Sequence, residues 1–223
     1  MEIASDPSAR HGETMSLGER AYERLVEMIV GARLAGGTAL SERQLCQDLG
    51  MSRSPVRTAL GKLEAEGLVV RGATGVPTVC QVTVKDYLDA LHVRRLLEPA
   101  AARLAAGHVA AQTLEALRRD IEDMQTRSVD PPSEHHWRIE ERLHGTIADA
   151  SGNALMAEAI KRVRNRGRLF DLRRMPDRFL PGCREHLAIV AAIERGASDA
   201  AETAMAEHID AVRQSVLDGL AQR

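Results

Sequence analysis

Four side chains in the second half of the chain could hold a metal ion. Glu140 and His144 stand four residues apart in a helical stretch, so both project from one face. His186 and His208, 22 residues apart, fall in two later helical stretches. One carboxylate and three imidazoles from three helices form a hard-to-borderline donor set, suited to zinc, nickel, manganese or iron. The same spacing also describes an ordinary helix-surface pair, or a buried cluster of hydrogen-bonded histidines. Spacing alone leaves these readings open. Open coordination positions could also serve catalysis, but no nucleophile–base pair or phosphate loop accompanies the four residues.

A second group lies near the N-terminus. Ser54 and Pro55 read as the N-cap and first residue of a helix, since proline's missing N–H is no loss there. Arg53 and Arg57 sit at that helix start. A helix N-terminus favours phosphate, and an arginine fork matches guanine O6 and N7. The elements that would carry them follow from periodicity. Leu25, Met28 and Ile29 make an apolar helical stripe that Gly31 closes. Ser41 and Gln44 form an S-x-x-Q capping box before Leu45 and Leu49, and Gly50 stops that helix. Val56, Leu60 and Leu63 face the core of a third helix, which ends by Gly67. Two short helices joined by a tight turn make a helix-turn-helix. Leu68–Val70 and Val76–Val82 alternate as two short strands around Gly72–Gly75, a wing.

The run L-S-E-R-Q-L-C-Q-D-L-G-M-S-R-S-P-V-R-T-A-L-G-K-L-E-A-E-G-L-V resembles the GntR family of regulators, with the match extending from about Leu17 to Val82. The resemblance implies a DNA-contacting arginine at Arg43, major-groove arginines at Arg53 and Arg57, hydroxyls on phosphate or a base edge at Ser52 and Ser54, and a wing-tip glycine at Gly75. Lys62 reads as a phosphate contact or a surface charge. Where the family often has Pro-Gly before the second helix, this chain has Gly36-Gly37, a slightly looser turn that removes no DNA contact.

From Lys85 onward the chain reads as helices over about 84–106, 110–127, 134–150, 153–175, 181–195 and 198–219, an antiparallel bundle. Pro99 should bend or split the first. Three stretches resemble the FCD domain, the effector-binding half of the FadR subgroup: V-R-R-L-L-E-P-A-A-A-R-L-A-A, L-H-G-T-I-A-D-A-S-G-N-A-L and E-H-L-A-I-V-A-A-I-E-R-G-A-S-D-A-A-E-T-A-M-A-E-H-I. In metal-binding members of that family a carboxylate and three histidines hold the ion. These map onto Glu140, His144, His186 and His208, with glutamate where aspartate is usual. Zinc heads the candidates, with nickel, manganese and iron behind it. Arg94 matches a family arginine that points into the pocket, suited to a ligand carboxylate; an ion pair with Glu98 is the alternative. His11, His92, His108, His135 and His136 take no role, Trp137 reads as core or interface, and the arginines from Arg162 to Arg174 read mainly as a solvated face from which one member could line the pocket.

Composition sets the frame. The 223 residues carry 44% hydrophobic and only 2% aromatic side chains, the Ala/Leu/Val profile of a helical protein, with a mean hydropathy of -0.24. The expected fold class is mainly α, a winged helix-turn-helix followed by an antiparallel bundle: residues 1–16 a disordered tail, 17–82 the DNA-binding domain, 83–223 the effector-binding and dimerisation domain. No run of about 18 apolar residues exists to span a membrane. Cys46, Cys80 and Cys183 are far apart, which fits a reducing cytoplasm and buried small hydrophobes. A net charge of -2 requires any DNA-attracting potential to be local. The expected function is a transcription regulator, a repressor, binding palindromic double-stranded operator DNA as a homodimer and sensing a small carboxylate at the metal site. A helical metalloenzyme and a metal-free regulator of lipid or acyl ligands are the alternatives.

Overall fold

The structure, a computed structural model, describes residues 15–31, 33–72, 75–127, 134–170 and 178–221. Residues 1–14 of the expected tail, residues 73–74 of the wing, the Pro131-Pro132 break, and Arg173 and Arg174 of the arginine run lie outside the described residues.

The N-terminal elements are α1 (Leu17–Val30), α2 (Glu42–Leu49), α3 (Arg53–Ala65), β1 (Val69–Arg71) and β2 (Pro77–Val79). Ser16 and Glu19 form a complete capping box that starts α1. At α2 only half of the expected box forms. The Gln44 amide donates to the Ser41 hydroxyl at 3.4 Å, but the Gln44 side chain turns down the helix to Asp48. Gly50, at φ +63°, reverses the chain in the left-handed region, and the Met51 amide returns to the Cys46 carbonyl at 3.1 Å. α3 starts two residues earlier than Ser54 and Pro55 suggest. Ser52 is its N-cap, so Pro55 is the third helical residue. Its absent N–H is still one of those with no partner within the helix.

β1 and β2 pair antiparallel with Val69 opposite Val79. The Gly36-Gly37 turn is held firmly on β2: the Gly37 amide donates to the Val79 carbonyl at 2.9 Å and the Leu40 amide to Pro77 at 2.7 Å. A Cβ at position 36 would lie 3.3 Å from the Cys80 carbonyl oxygen, so the glycine pair permits a close approach. Leu25, Leu45, Val56, Leu60, Leu63 and Leu68 fill the small core between these elements.

The remaining helices are α4 (Val84–Ala105), α5 (Ala111–Arg127), α6 (Glu134–Ala150), α7 (Ala154–Gly167), α8 (Phe179–Glu194) and α9 (Ser198–Ala221). α4 is the central rod, packed against α6, α7, α8 and α9. Its inner face is largely small: Ala101, Ala102 and Ala105 are at most 1% exposed and meet the buried Ala201 and Met205 of α9 in one core. α4 departs from expectation in one respect. Pro99 neither splits nor ends α4, and its ring is buried against the neighbouring helices. α7 is shorter than the periodicity suggests, ending at Gly167, where a Cβ would lie 3.2 Å from the Tyr87 ring. Tyr87 stacks on Phe170 with centroids 4.2 Å apart.

α7 also meets the N-terminal unit. The Asn165 side-chain amide donates to Glu66 at 3.5 Å, and Leu169 packs on the small core. Glu66, the C-cap of α3, accepts the Tyr22 hydroxyl of α1 at 2.5 Å.

Leu117 of α5 is fully buried in the large core. Leu117→Ala is expected to lower the stability of the bundle by about 2–5 kcal/mol, the cost of lost transfer energy plus a cavity; denaturant unfolding of the full chain measures it.

Candidate functional site

The four candidate metal ligands converge where α6, α8 and α9 face α4. His144, His186 and His208 are 1%, 1% and 3% exposed. Each offers one donor atom, as does Glu140, and all four atoms lie within 4.8 Å of one another. His186 Nε2 stands 3.2 Å from Glu140 Oε1 and 3.3 Å from His208 Nε2. His144 Nε2 lies 3.7 Å from Glu140 Oε2 and is buried with no hydrogen-bond partner.

Two carboxylates that spacing had not tied to the histidines hold them from behind. Glu98 of α4 accepts a hydrogen bond from His144 Nδ1 at 2.5 Å. Glu185 of α8 accepts one from His208 Nδ1 at 2.8 Å. An ionised carboxylate only accepts, so both rings carry their proton on Nδ1 and turn the Nε2 lone pair inward. Arginines neutralise both carboxylates. Arg94 Nε reaches Glu98 at 2.6 Å, and Arg178 clasps Glu185 with Nη1 at 2.8 Å and with Nη2. The ion pair is thus the observed state of Arg94, which also lines the cavity beside the site.

The electrostatics suit a cation. Burial, reinforced by the Arg164 charge, lowers His144 to about 4. Burial and the neighbouring histidines hold His186 well below its ordinary value. Both rings are therefore neutral at pH 7, the form that ligates metal. Burial alone would raise Glu98, but Arg94, His144 and Arg164 together keep its carboxyl well below the usual range. Glu140 is held down likewise, by its histidine neighbours and Arg164 against the effect of burial. A buried Nε2 lone pair without a donor, beside an ionised carboxylate and two further imidazoles, fits a divalent ion. Cys183 is not part of the set: it is free, and burial pushes its thiol up to about 11. Cys80 is likewise free and buried, and Cys46 free and half-buried.

A cavity of about 70 Å³ opens beside the four donors, lined among others by Arg94, Arg164, Arg178, His136, Trp137 and Phe179. Two of these depart from the sequence reading. His136, given no role, has Nε2 3.7 Å from Glu140 Oε1. Trp137 faces the cavity rather than only core or interface. Arg164, 6% exposed, is the member of the arginine run that lines the pocket. A helix face hidden inside an arginine run gives no periodic signal, because charge does not mark it as inward.

In the N-terminal unit, Arg43, Ser52, Arg53, Ser54, Arg57 and Gly75 are all exposed. Arg53 and Arg57 are one turn apart at the start of α3. Arg57 Nε lies 3.4 Å from Glu42, which brings the starts of α2 and α3 together. Gly75 adopts φ +71°, and its carbonyl accepts from Arg71 Nη1 at 2.9 Å. Lys62 lies over the Tyr22 ring at 4.0 Å, a cation–π contact. Among the described residues no helix is long and apolar enough to cross a membrane.

Comparison with known proteins agrees with both halves. Residues 17–78 match the family "Bacterial regulatory proteins, gntR family", and residues 89–211 match the FCD domain. The chain is 26% identical over 209 residues to the HTH-type transcriptional repressor RspR of Escherichia coli K12, covering 91% of this chain and 90% of that protein. Solved structures share the fold. McbR/YncC of E. coli superposes with a TM-score of 0.75 at 21% identity, over 92% of this chain and 99% of that one. A GntR regulator from Rhodococcus sp. RHA1 superposes with a TM-score of 0.69 at 22% identity, again over 92% and 99%. The chain belongs to the GntR family of bacterial transcription regulators, ligand-responsive DNA-binding proteins rather than enzymes, with an FCD domain as its effector half.

Proposed function

We propose that this regulator is a repressor that binds a palindromic operator as a homodimer and responds to a small organic acid at a divalent metal, zinc first among the candidates. Residues 17–82 serve as the DNA-binding domain and 83–223 as the effector and dimerisation domain. The observation that carries the metal reading is the convergence of Glu140, His144, His186 and His208 with a buried His144 Nε2 left unpartnered. A bound cation would supply a Lewis-acid anchor for one oxygen of the acid. Glu98 and Glu185 keep the imidazoles in the ligating tautomer, and the cavity's guanidinium groups favour an anion. A metal-free site for an acyl chain fits less well, since it would leave the four converging donors without a cation.

Arg43, Ser52, Arg53, Ser54 and Arg57 would face the major groove and its phosphates, with Gly75 letting the wing approach the minor groove. One such unit makes few base contacts, and two-fold symmetry doubles them. α4 offers a surface for that symmetry: Val93, Leu96 and Leu104 are 37%, 63% and 47% exposed along one stripe. The effector signal has a short path. Arg164 lines the cavity, and its neighbour Asn165 contacts Glu66 at the end of α3. An acid that favours one placement of α7 thereby favours one placement of the DNA-binding unit.

Three outcomes follow. Arg53→Ala with Arg57→Ala is expected to weaken binding to a duplex selected from a random library by roughly a hundredfold or more, at about 1–3 kcal/mol per arginine–base pair, with the circular dichroism unchanged. Undiminished binding contradicts the docking. Zinc at about 100 times its dissociation constant should raise the unfolding midpoint of chelator-treated full-length protein by roughly 5–10 °C, and His186→Ala should abolish the rise. A midpoint unmoved by zinc, nickel, manganese and iron contradicts the metal site. Glu185→Gln should weaken zinc binding about tenfold in competition with a chromophoric chelator, the loss typical when a histidine's supporting carboxylate is removed.

A further inference from the structure

The wing is short, and its two ends are held differently. Three residues per strand make a ribbon that is marginal by itself. Its base is anchored by main-chain bonds: the Cys80 amide donates to the Leu68 carbonyl at 2.9 Å, and the Gly36-Gly37 turn is bonded to β2. Toward the tip, Arg71 stands opposite Pro77 in the last strand pair, and the Gly75 amide beyond it donates to the Gly72 carbonyl at 2.9 Å. Packing does not fix Gly75. A Cβ there would have no neighbour within 4 Å among the described residues.

A side chain holds it instead. Arg71 Nη1 donates to the Gly75 carbonyl at 2.9 Å, and Arg71 Nη2 pairs with Glu64 Oε1 at 2.7 Å. Glu64 lies in the last turn of α3, and that oxygen is buried. One guanidinium thus spans from the recognition helix to the glycine of the wing. Its donors form a rigid planar fork, so anchoring one nitrogen on α3 sets where the other points. We propose that Arg71 is a positioning residue for operator recognition, a buckle that fixes the wing at a set distance from the arginines at the start of α3. This rests on the docking above, in which α3 enters the major groove and Gly75 approaches the minor groove. Glu64 takes part in spite of its charge. A carboxylate on the recognition helix repels phosphate, so by charge alone its removal would strengthen DNA binding. Through the buckle, its removal weakens recognition. The opposite signs separate the buckle from a direct phosphate contact by Arg71.

The test uses full-length protein, a duplex that it selects from a random library and a scrambled duplex of the same length, with affinities read by fluorescence anisotropy. Arg71→Gln and Glu64→Ala are each expected to lower the ratio of selected to scrambled affinity about tenfold, the size of one charge-assisted hydrogen bond. The double variant should fall no further than Arg71→Gln alone, because both changes cut one link. Hydroxyl-radical footprints read the minor groove, and the wing's protection there should fade in both variants. Protection of guanine N7 from dimethyl sulfate, which reads the major groove, should persist. A Glu64→Ala protein that binds the selected duplex as tightly as wild type, or more tightly, overturns the buckle. Additive losses in the double variant overturn it as well. So does joint loss of both protections in either variant, since the buckle acts on the wing alone. Wild type that leaves the minor groove unprotected overturns the wing docking beneath the proposal, and the buckle with it.

Discussion

Placing three imidazoles and a carboxylate at the centre of a helical bundle creates a debt of unsatisfied polar atoms that the surrounding structure must meet. Each buried ring has two nitrogens, and each needs a partner or a cation. The outer nitrogens of His144 and His208 are met by Glu98 and Glu185, which then require positive charge of their own. Arg94 and Arg178 supply it. α4, α6, α8 and α9 are thereby tied by layered contacts, ring to carboxylate to guanidinium, that fix their rotation about their axes. Inside the layer, the Nε2 atoms are left facing one another with Glu140.

α7 stands between this cluster and the DNA-binding unit. Arg164 and Asn165 are consecutive, yet one lines the cavity and the other reaches Glu66. Glu66 in turn caps α3 and holds Tyr22 of α1, so the end of the recognition helix and the first helix share one carboxylate. Burial and the hydrogen bond to Glu66 raise the Tyr22 hydroxyl above its ordinary value, so it stays a donor across the physiological range. The cavity and the Glu66 contact are thus joined through consecutive residues of one helix.

Much of this was legible in the residues. Gly50, the apolar stripe of Leu25 and Ile29, the spacing of Glu140 and His144, and the exposed arginines of α3 all rest on local rules of period and capping. What sequence missed is non-local or depends on competition. Glu185 and His208 lie 23 residues apart on different helices, and no period links them. Gln44 could serve a capping box or Asp48, and only the folded geometry chooses. Pro99 breaks isolated helices, but here α4 runs through it, buried against its neighbours. Which arginine of the Arg162–Arg174 run turns inward was not legible, because burial of a charge is set by tertiary partners, not by the residue's own preference.

The central claim is that the inward-facing nitrogens exist to hold a cation. Anomalous diffraction across the zinc edge, from crystals of the full chain grown with zinc, tests it most directly. The expected result is one strong peak per chain, bonded to Nε2 of His144, His186 and His208 and to a Glu140 oxygen. Anomalous signal confined to surface sites, with an ordered water hydrogen-bonded to His144 Nε2 in its place, would contradict it.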